Sequence, residues 1–257
     1  MAIDLMDVTG KVAFITGASS RGIGSGAAQL LAEHGAKVFL VARRQEALAE
    51  QARIIEDAGG EAAYQTCDVS EYEEVKAAMD ACIERFGKLD ILVCAAGISG
   101  DFVEEIDFDL EDWEAVKGIN LDGIYYSVMC AYPHLKEQPG ASIIIVSSQA
   151  QLKVEGCLPY TATKGAIGRM VPWWAAKMGP DDIRVNAIAP GLIDTDMTNP
   201  PGWDTIEMLH VPAAQKAPLR RCATIEDCAK SILFFASDAS RCVTGNTLPV
   251  DGGELLE

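Results

Sequence analysis

An α/β fold, a doubly wound parallel sheet with helices on both faces, is what this sequence predicts, and two observations carry that expectation. Short apolar runs alternate with helix-length amphipathic stretches along the chain, as in β-α-β units whose strands are buried on both sides. The first apolar run ends in a glycine-rich turn that opens an Ala/Leu-rich helix, which places a ligand site at the carboxyl ends of the strands. Of the 257 residues, 49% are hydrophobic and 23% charged, enough for a large core. Nothing reads as a linker, so residues 1–257 are expected to form one domain.

The strands are expected at 12–16, 37–41, 62–67, 91–94, 142–147 and 184–188, with helices filling the gaps. The stretch 192–219 has a different texture. It follows the Pro190-Gly191 turn and carries Met197, Pro200, Pro201, Trp203, Met208, Leu209, Val211 and Pro212, the composition of a lid over an apolar substrate. Pro172-Trp173-Trp174 stands inside the helix expected from about Tyr160. A proline there removes a hydrogen bond, so another group must satisfy the Gly168 carbonyl. Adjacent Trp side chains project about 100° apart on a helix, so one can fill the core while the other turns outward; core packing of both is the alternative.

Composition excludes several function classes. A net charge of -17 opposes binding to nucleic acid, to an anionic membrane surface or to acidic proteins. No apolar run reaches the roughly 18 residues of a membrane span, and residues 1–10 lack a secretory pattern, so a cytoplasmic protein is expected. Cysteines 67, 82, 94, 130, 157, 222, 228 and 242 include no C-x-x-C pair, and neither a disulfide framework nor a metal site is expected. His34, His134 and His210 have no ligand-spaced partners and are expected to be structural or exposed.

The glycine turn reads Thr16-Gly17-Ala18-Ser19-Ser20-Arg21-Gly22-Ile23-Gly24. Glycines permit close backbone approach, and the helix N-terminus offers free N–H groups to a pyrophosphate. The second strand ends in Val41-Ala42-Arg43-Arg44. An acid there would bind a ribose 2′-hydroxyl, whereas arginine pairs with a 2′-phosphate. Two arginines, with Arg21 as a third positive group, favour NADP(H) over NAD(H). Tyr160 and Lys164 stand four residues apart, on one helix face. A phenol of pKa ~10 becomes a usable proton carrier beside a positive charge.

Taken together these motifs resemble the short-chain dehydrogenase/reductase family, from about Lys11 to Gly253. The resemblance runs through Thr16 to Gly24, Asp68-Val69, Ala95-Ala96-Gly97, Asn120, the serines after the fifth strand, Tyr160-x-x-x-Lys164, Asn186 to Gly191 and Val250-Asp251-Gly252-Gly253. It implies a Rossmann-type sheet and a catalytic tetrad of Asn120, Ser148, Tyr160 and Lys164. Tyr160 would exchange the substrate proton, Lys164 would support it and hold the nicotinamide ribose, and Ser148 would bind the substrate oxygen. Asn120 would anchor a water that joins Lys164 to solvent. Implied cofactor contacts are Gly17, Ser19, Ser20, Arg21, Gly22, Ile23, Gly24, Arg43, Arg44, Asp68, Val69, Ala95, Ala96, Gly97, Tyr160, Lys164, Pro190, Gly191, Ile193 and Thr195. Asp68 would meet the adenine amino group and Thr195 the nicotinamide amide. The family also implies a homo-oligomer, a dimer or tetramer.

Three departures from the family pattern stand out. Four residues separate Gly17 from Gly22, one more than usual. Cys94-Ala95 replaces a pair of asparagines whose amides brace the sheet. The family spacing of thirteen residues before Tyr160 selects Ser147, while alignment of strand 142–147 selects Ser148; neighbours on a strand face opposite ways, and the strand alignment is preferred. The expected activity is interconversion of a secondary alcohol and a ketone on an apolar substrate, such as a hydroxysteroid or bile acid. A 3-oxoacyl-acyl-carrier-protein reductase and a catalytically silent dinucleotide sensor are the alternatives.

Overall fold

The computed structural model describes residues 5–101, 109–153, 156–200 and 205–256. Its centre is a parallel sheet of seven strands: β1 (Val12–Thr16), β2 (Lys37–Ala42), β3 (Glu61–Thr66), β4 (Ile91–Cys94), β5 (Ser142–Val146), β6 (Arg184–Pro190) and β7 (Thr247–Val250). They lie in the order β3-β2-β1-β4-β5-β6-β7. The winding reverses between β1 and β4, so a crevice opens there at the carboxyl ends. Strand side chains alternate between two apolar layers. Val12, Phe14, Leu92, Ile143 and Val185 enter one core, and Ala13, Ile15, Val93, Ile144 and Ile188 the other. Burial on both faces is what makes the sequences of β1 and β4 almost wholly apolar, whereas β3 is only partly buried.

The helices are α1 (Ile23–Glu33), α2 (Gln45–Asp57), α3 (Tyr72–Phe86), α4 (Leu110–Lys117), α5 (Gly123–Leu135), α6 (Leu158–Met178), α7 (Val211–Lys216) and α8 (Ile225–Ala236). In the first core layer lie Val75, Met79 and Cys82 of α3, Val128 of α5 and Trp174 of α6; in the second lie Ala28 and Leu31 of α1, Leu48 of α2 and Ile232 of α8. No described helix is long and apolar enough to cross a membrane. Helix α8 starts on a capping box in which Thr224 Oγ1 accepts from Asp227 N and Asp227 Oδ2 accepts from Thr224 N, settling two otherwise unpaired amides.

All six expected strands form, β1 and β4 with the expected ends and the other four with ends shifted by one or two residues. The seventh was not expected. Strand β7 is four residues long, contains Pro249 and has two exposed positions, so it lacks a strand's usual apolar pattern. It pairs only with β6, and an edge is where a sheet tolerates proline. Helix α6 runs through Pro172 without ending. Trp174 is buried and Trp173 is 60% exposed, the divergence expected of neighbours on a helix. In the covering stretch, a wide helical turn at Ile206–His210 leads into α7; Pro201 and Trp203 lie outside the described residues.

Arg184, at the start of β6, is buried with no carboxylate in hydrogen-bond contact among the described residues. Its guanidinium donates to the Phe235 carbonyl at 2.6 Å, the Ser240 hydroxyl at 2.7 Å and the Ser237 carbonyl at 3.4 Å. It thereby caps the carboxyl end of α8. Burial pushes its pKa down, opposed by Asp238 and Asp182. Arg184→Ala strips the guanidinium from these buried carbonyls, which are still reached by the hydroxyls of Ser142 and Ser240, and is expected to cost about 2 kcal/mol in urea denaturation. Arg184→Lys restores part of the loss, because a point charge cannot reproduce the fork. Unchanged stability of Arg184→Ala contradicts this account.

Candidate active site

The glycine turn after β1 is shaped by contact with the turn after β4. Gly17 has φ +71°, and a Cβ on it would stand 2.7 Å from Ala95 O and from Ala96 Cα; only glycine fits. A Cβ on Gly24 would meet Gly17 O at 2.6 Å. Thr16 Oγ1 accepts from the amides of Ala95 and Ala96 at 3.0 and 3.1 Å. This hydroxyl ties the turn after β4 to the end of β1. Gly22 caps α1, and Ser25 Oγ accepts from Gly22 N while donating to Ser20 O. The cap leaves the N-terminus of α1 facing the crevice, a site for an anion.

Two clefts line the carboxyl edge of the sheet, with volumes of about 470 and 180 Å³. They share Gly17, Ser20, Ala96, Gly97 and Met197. The larger is also lined by Ser19, Arg43, Arg44, Asp68 and Val69. The smaller takes Arg21, Gly22, Ile23, Gly24, Ala95, Ser148, Tyr160, Lys164, Pro190, Gly191, Ile193 and Thr195. Every site residue expected from the sequence therefore lines a cleft, with the exception of Asn120. Ile98, Ser99, Ile119 and Thr198 line them too and were missed; their only signal was adjacency to motif residues. A glycine cradle, a helix N-terminus and two exposed arginines at the far end fit a dinucleotide with an anionic centre.

The chemistry-bearing groups converge on the smaller cleft. Lys164 is 4% exposed; its ammonium donates to the Val146 carbonyl at 3.0 Å and lies 5.5 Å from the centre of the Tyr160 ring. Burial pushes the Lys164 pKa down to about 8. Asn120 sits in a widened helical turn, Gly118–Asp122, between α4 and α5, a local insertion that commonly marks functional sites. Its side chain accepts from Ile98 N at 2.9 Å and donates to Ile98 O at 2.8 Å, so it stands behind the cleft wall. A Cβ on Gly97 would be 3.3 Å from Asn120 Oδ1 and 3.8 Å from Lys164 Nζ, which places those two groups against one glycine.

Strand β5 stops at Val146, so Ser147 and Ser148 both follow it. Ser147 Oγ donates to Gln151 Oε1 at 2.7 Å, and Gln151 in turn donates to Thr247 Oγ1. Ser148 Oγ accepts from Ala150 N at 3.1 Å. Asp68 Oδ1 accepts from the Ser70 amide and hydroxyl, and Oδ2 lies 4.0 Å from Arg43 Nη1. Asn186 pins β6 to the loop before β7, donating to Val243 O and accepting from Asn246 N.

Arg21 is not the third positive group of the adenosine end that the sequence suggested. Its guanidinium turns to the segment after β6, donating to Asp194 O at 3.1 Å and Asp194 Oδ1 at 2.9 Å, with Nε 3.6 Å from Asp196 Oδ1. The Arg21 fork holds the Asp194 carboxyl below the usual carboxylate range. The two acids flanking Thr195 were visible in the sequence, yet their partner is far away along the chain and only the fold brings it near. His210 is buried, which lowers its pKa, and its Nε2 has no hydrogen-bond partner among the described residues.

The buried ammonium has a pH signature. Between about 8 and the ordinary 10.5 the unfolded chain binds more protons at Lys164 than the folded one, so its contribution to stability rises with pH there. Lys164→Met removes the buried charge and is expected to stabilise the ligand-free protein by about 2 kcal/mol near neutral pH. The advantage should shrink as pH rises through that window, followed by urea denaturation at each pH. A variant less stable than the parent near neutrality contradicts the burial.

Comparison with known proteins agrees with this geometry. Residues 17–254 match a family model described as Enoyl-(Acyl carrier protein) reductase. The 3-oxoacyl-[acyl-carrier-protein] reductase FabG of Thermotoga maritima is 34% identical over 98% of this chain and 100% of its own length. Among solved structures, a gluconate 5-dehydrogenase from Burkholderia cenocepacia in complex with NADP and tartrate superposes with a TM-score of 0.91 at 32% identity, covering 99% of this chain and 98% of that one. Carveol dehydrogenase from Mycobacterium avium in complex with NAD gives 0.91 at 32% identity, covering 97% and 99%. With the winding, the glycine turn and the Tyr160–Lys164 cleft in place, the chain belongs to the short-chain dehydrogenase/reductase family, oxidoreductases that bind a nicotinamide dinucleotide.

Proposed function

We propose that the chain is an NADP(H)-dependent oxidoreductase that interconverts a secondary alcohol and a ketone on an apolar substrate, with the ring hydroxyl of a steroid or bile acid as the class it fits. The observation that carries it is the Tyr160 ring lying 5.5 Å from a buried ammonium in the cleft that adjoins the dinucleotide crevice. When bound, the nicotinamide supplies or accepts the hydride. Tyr160 Oη exchanges the proton with the substrate oxygen, and the Lys164 charge stands where it stabilises a phenolate.

Ser148 is the better placed of the two serines to assist. The Ser147 proton is committed to Gln151, whereas Ser148 Oγ accepts from Ala150 N and keeps its proton for the substrate oxygen. Asn120 holds the Ile98 backbone beside Lys164 and in this reading positions the water that joins Lys164 to solvent. Arg43 and Arg44 line the larger cleft at the end of β2, and their charge supports selection of a 2′-phosphate. Exposed Met197, Met208 and Leu209 support an apolar substrate under the covering segment. Trp173, exposed on α6, supports a homo-oligomer.

A second reading, reduction of a 3-oxoacyl thioester on acyl carrier protein, is favoured by the full-length similarity to the Thermotoga maritima reductase. It is opposed by the net charge of -17, since acyl carrier protein is acidic.

Two outcomes are expected. Ser148→Ala should lower kcat by about a hundredfold or more and Ser147→Ala by far less, measured as oxidation of reduced cofactor with steroid ketones; the opposite order overturns the assignment. Turnover confined to acyl thioesters in the same assay moves the function to the second reading. Replacing both Arg43 and Arg44 by Ala should raise KM for NADP(H) roughly tenfold to a hundredfold and leave that for NAD(H) nearly unchanged. An equal loss with both cofactors contradicts 2′-phosphate selection.

A further inference from the structure

We propose that Arg21 is a positioning residue that clasps the segment after β6 onto the glycine turn, and that opening this clasp is the step through which the dinucleotide leaves. The proposal rests on the reading of the two clefts as a dinucleotide site. Arg21 belongs to the turn that is one residue longer than the family's. Its backbone and side chain meet the same partner segment in two ways.

The backbone contact is reciprocal. Arg21 N donates to Asp196 Oδ2 at 3.1 Å, and Asp196 N donates to Arg21 O at 3.0 Å. The guanidinium adds a fork, with Nη1 on Asp194 O and Nη2 on Asp194 Oδ1. One residue thus engages two carboxylates and one carbonyl, a charge-assisted geometry that lysine cannot copy.

What the fork holds is a unit, not a loose strand. Thr198 Oγ1 donates to Ile193 O, Asn199 Nδ2 donates to Asp194 Oδ1 at 3.2 Å, and Thr205 Oγ1 donates to Thr198 O at 2.7 Å. Residues 193–199 and Thr205 are therefore cross-tied, and a pull at Asp194 moves the whole wall. That wall faces ligand: Met197 lines both clefts, and Ile193, Thr195 and Thr198 line the smaller.

Charge adds a second effect. Asp194 and Asp196 stand beside a crevice shaped for a pyrophosphate, and without Arg21 they would repel it. Arg21 neutralises them at the place where it ties them down. The side chains of Arg21 and Asp194 are 48% and 45% exposed, so the clasp is open to salt screening and can release.

The test is stopped-flow fluorescence of NADPH binding and release with the full chain, comparing wild type with Arg21→Gln and Arg21→Lys at low and high salt. Arg21→Gln is expected to release NADPH roughly tenfold faster, with association changed less and Arg21→Lys between the two. Wild-type release should quicken with salt by more than release from Arg21→Gln, in which salt has no clasp to loosen and only screens the repulsion from Asp194 and Asp196. An unchanged release rate, or a loss confined to association, overturns the clasp. Should Arg21→Gln fail to fold, Asp194→Asn carries the same test from the other side of the fork. A wild type that binds no NADPH defeats the dinucleotide reading together with the clasp, whereas normal wild-type binding with an insensitive Arg21→Gln defeats the clasp alone.

Discussion

The Lys164 ammonium is sealed beneath the carboxyl end of β5, and the local structure is what a charge in that position requires. Removing an ammonium from water costs several kcal/mol, and the described groups return one hydrogen bond, from the Val146 carbonyl. Burial lowers its pKa to about 8, so it is still charged near neutral pH. A charge kept at such expense on a helix face one turn from a phenol makes sense as chemistry rather than as stability. Helix α6 is long and anchored by Trp174 and Ile167 in the core, which fixes where both side chains point. The widened turn around Asn120 and the approach of Gly97 complete the enclosure.

The same sheet edge joins that charge to the nucleotide crevice. Reversal of the winding between β1 and β4 brings the glycine turn, the Ala95-Ala96-Gly97 turn and the end of β6 together. Thr16 ties the first two through its hydroxyl, and Arg21 ties the first to the third. Short hydrogen-bonded ties between carboxyl-end turns thus hold the nucleotide crevice and the Tyr160–Lys164 cleft side by side.

Much of this was legible before any coordinates. Most of the expected strands were marked by apolar runs because both of their faces are buried, whereas β3 is largely half-buried or exposed, and the cleft-lining residues were marked by glycines and by the Tyr160–Lys164 spacing. What escaped has a physical reason in each case. Strand β7 lies at an edge, where neither burial nor proline avoidance leaves a pattern. The turn at Asn120 differs from ordinary helix only in its hydrogen bonding. Arg21 was read as a phosphate ligand because its neighbours in sequence are phosphate-loop residues, whereas its partners, Asp194 and Asp196, are near only in space. Strand alignment preferred Ser148 over Ser147, but the bond from Ser147 Oγ to Gln151 depends on a contact that only the fold makes visible.

The central claim is that Tyr160, supported by Lys164, moves the proton that accompanies hydride transfer between a carbinol carbon and the nicotinamide. Mass spectrometry of the alcohol formed from a steroid ketone and NADPH deuterated on the transferring face tests it most directly, with wild type and Tyr160→Phe run side by side. The account predicts one deuterium on the carbinol carbon with wild type, and a rate lower by about a thousandfold or more with Tyr160→Phe. Alcohol formed without deuterium, or formed equally fast by Tyr160→Phe, would contradict it.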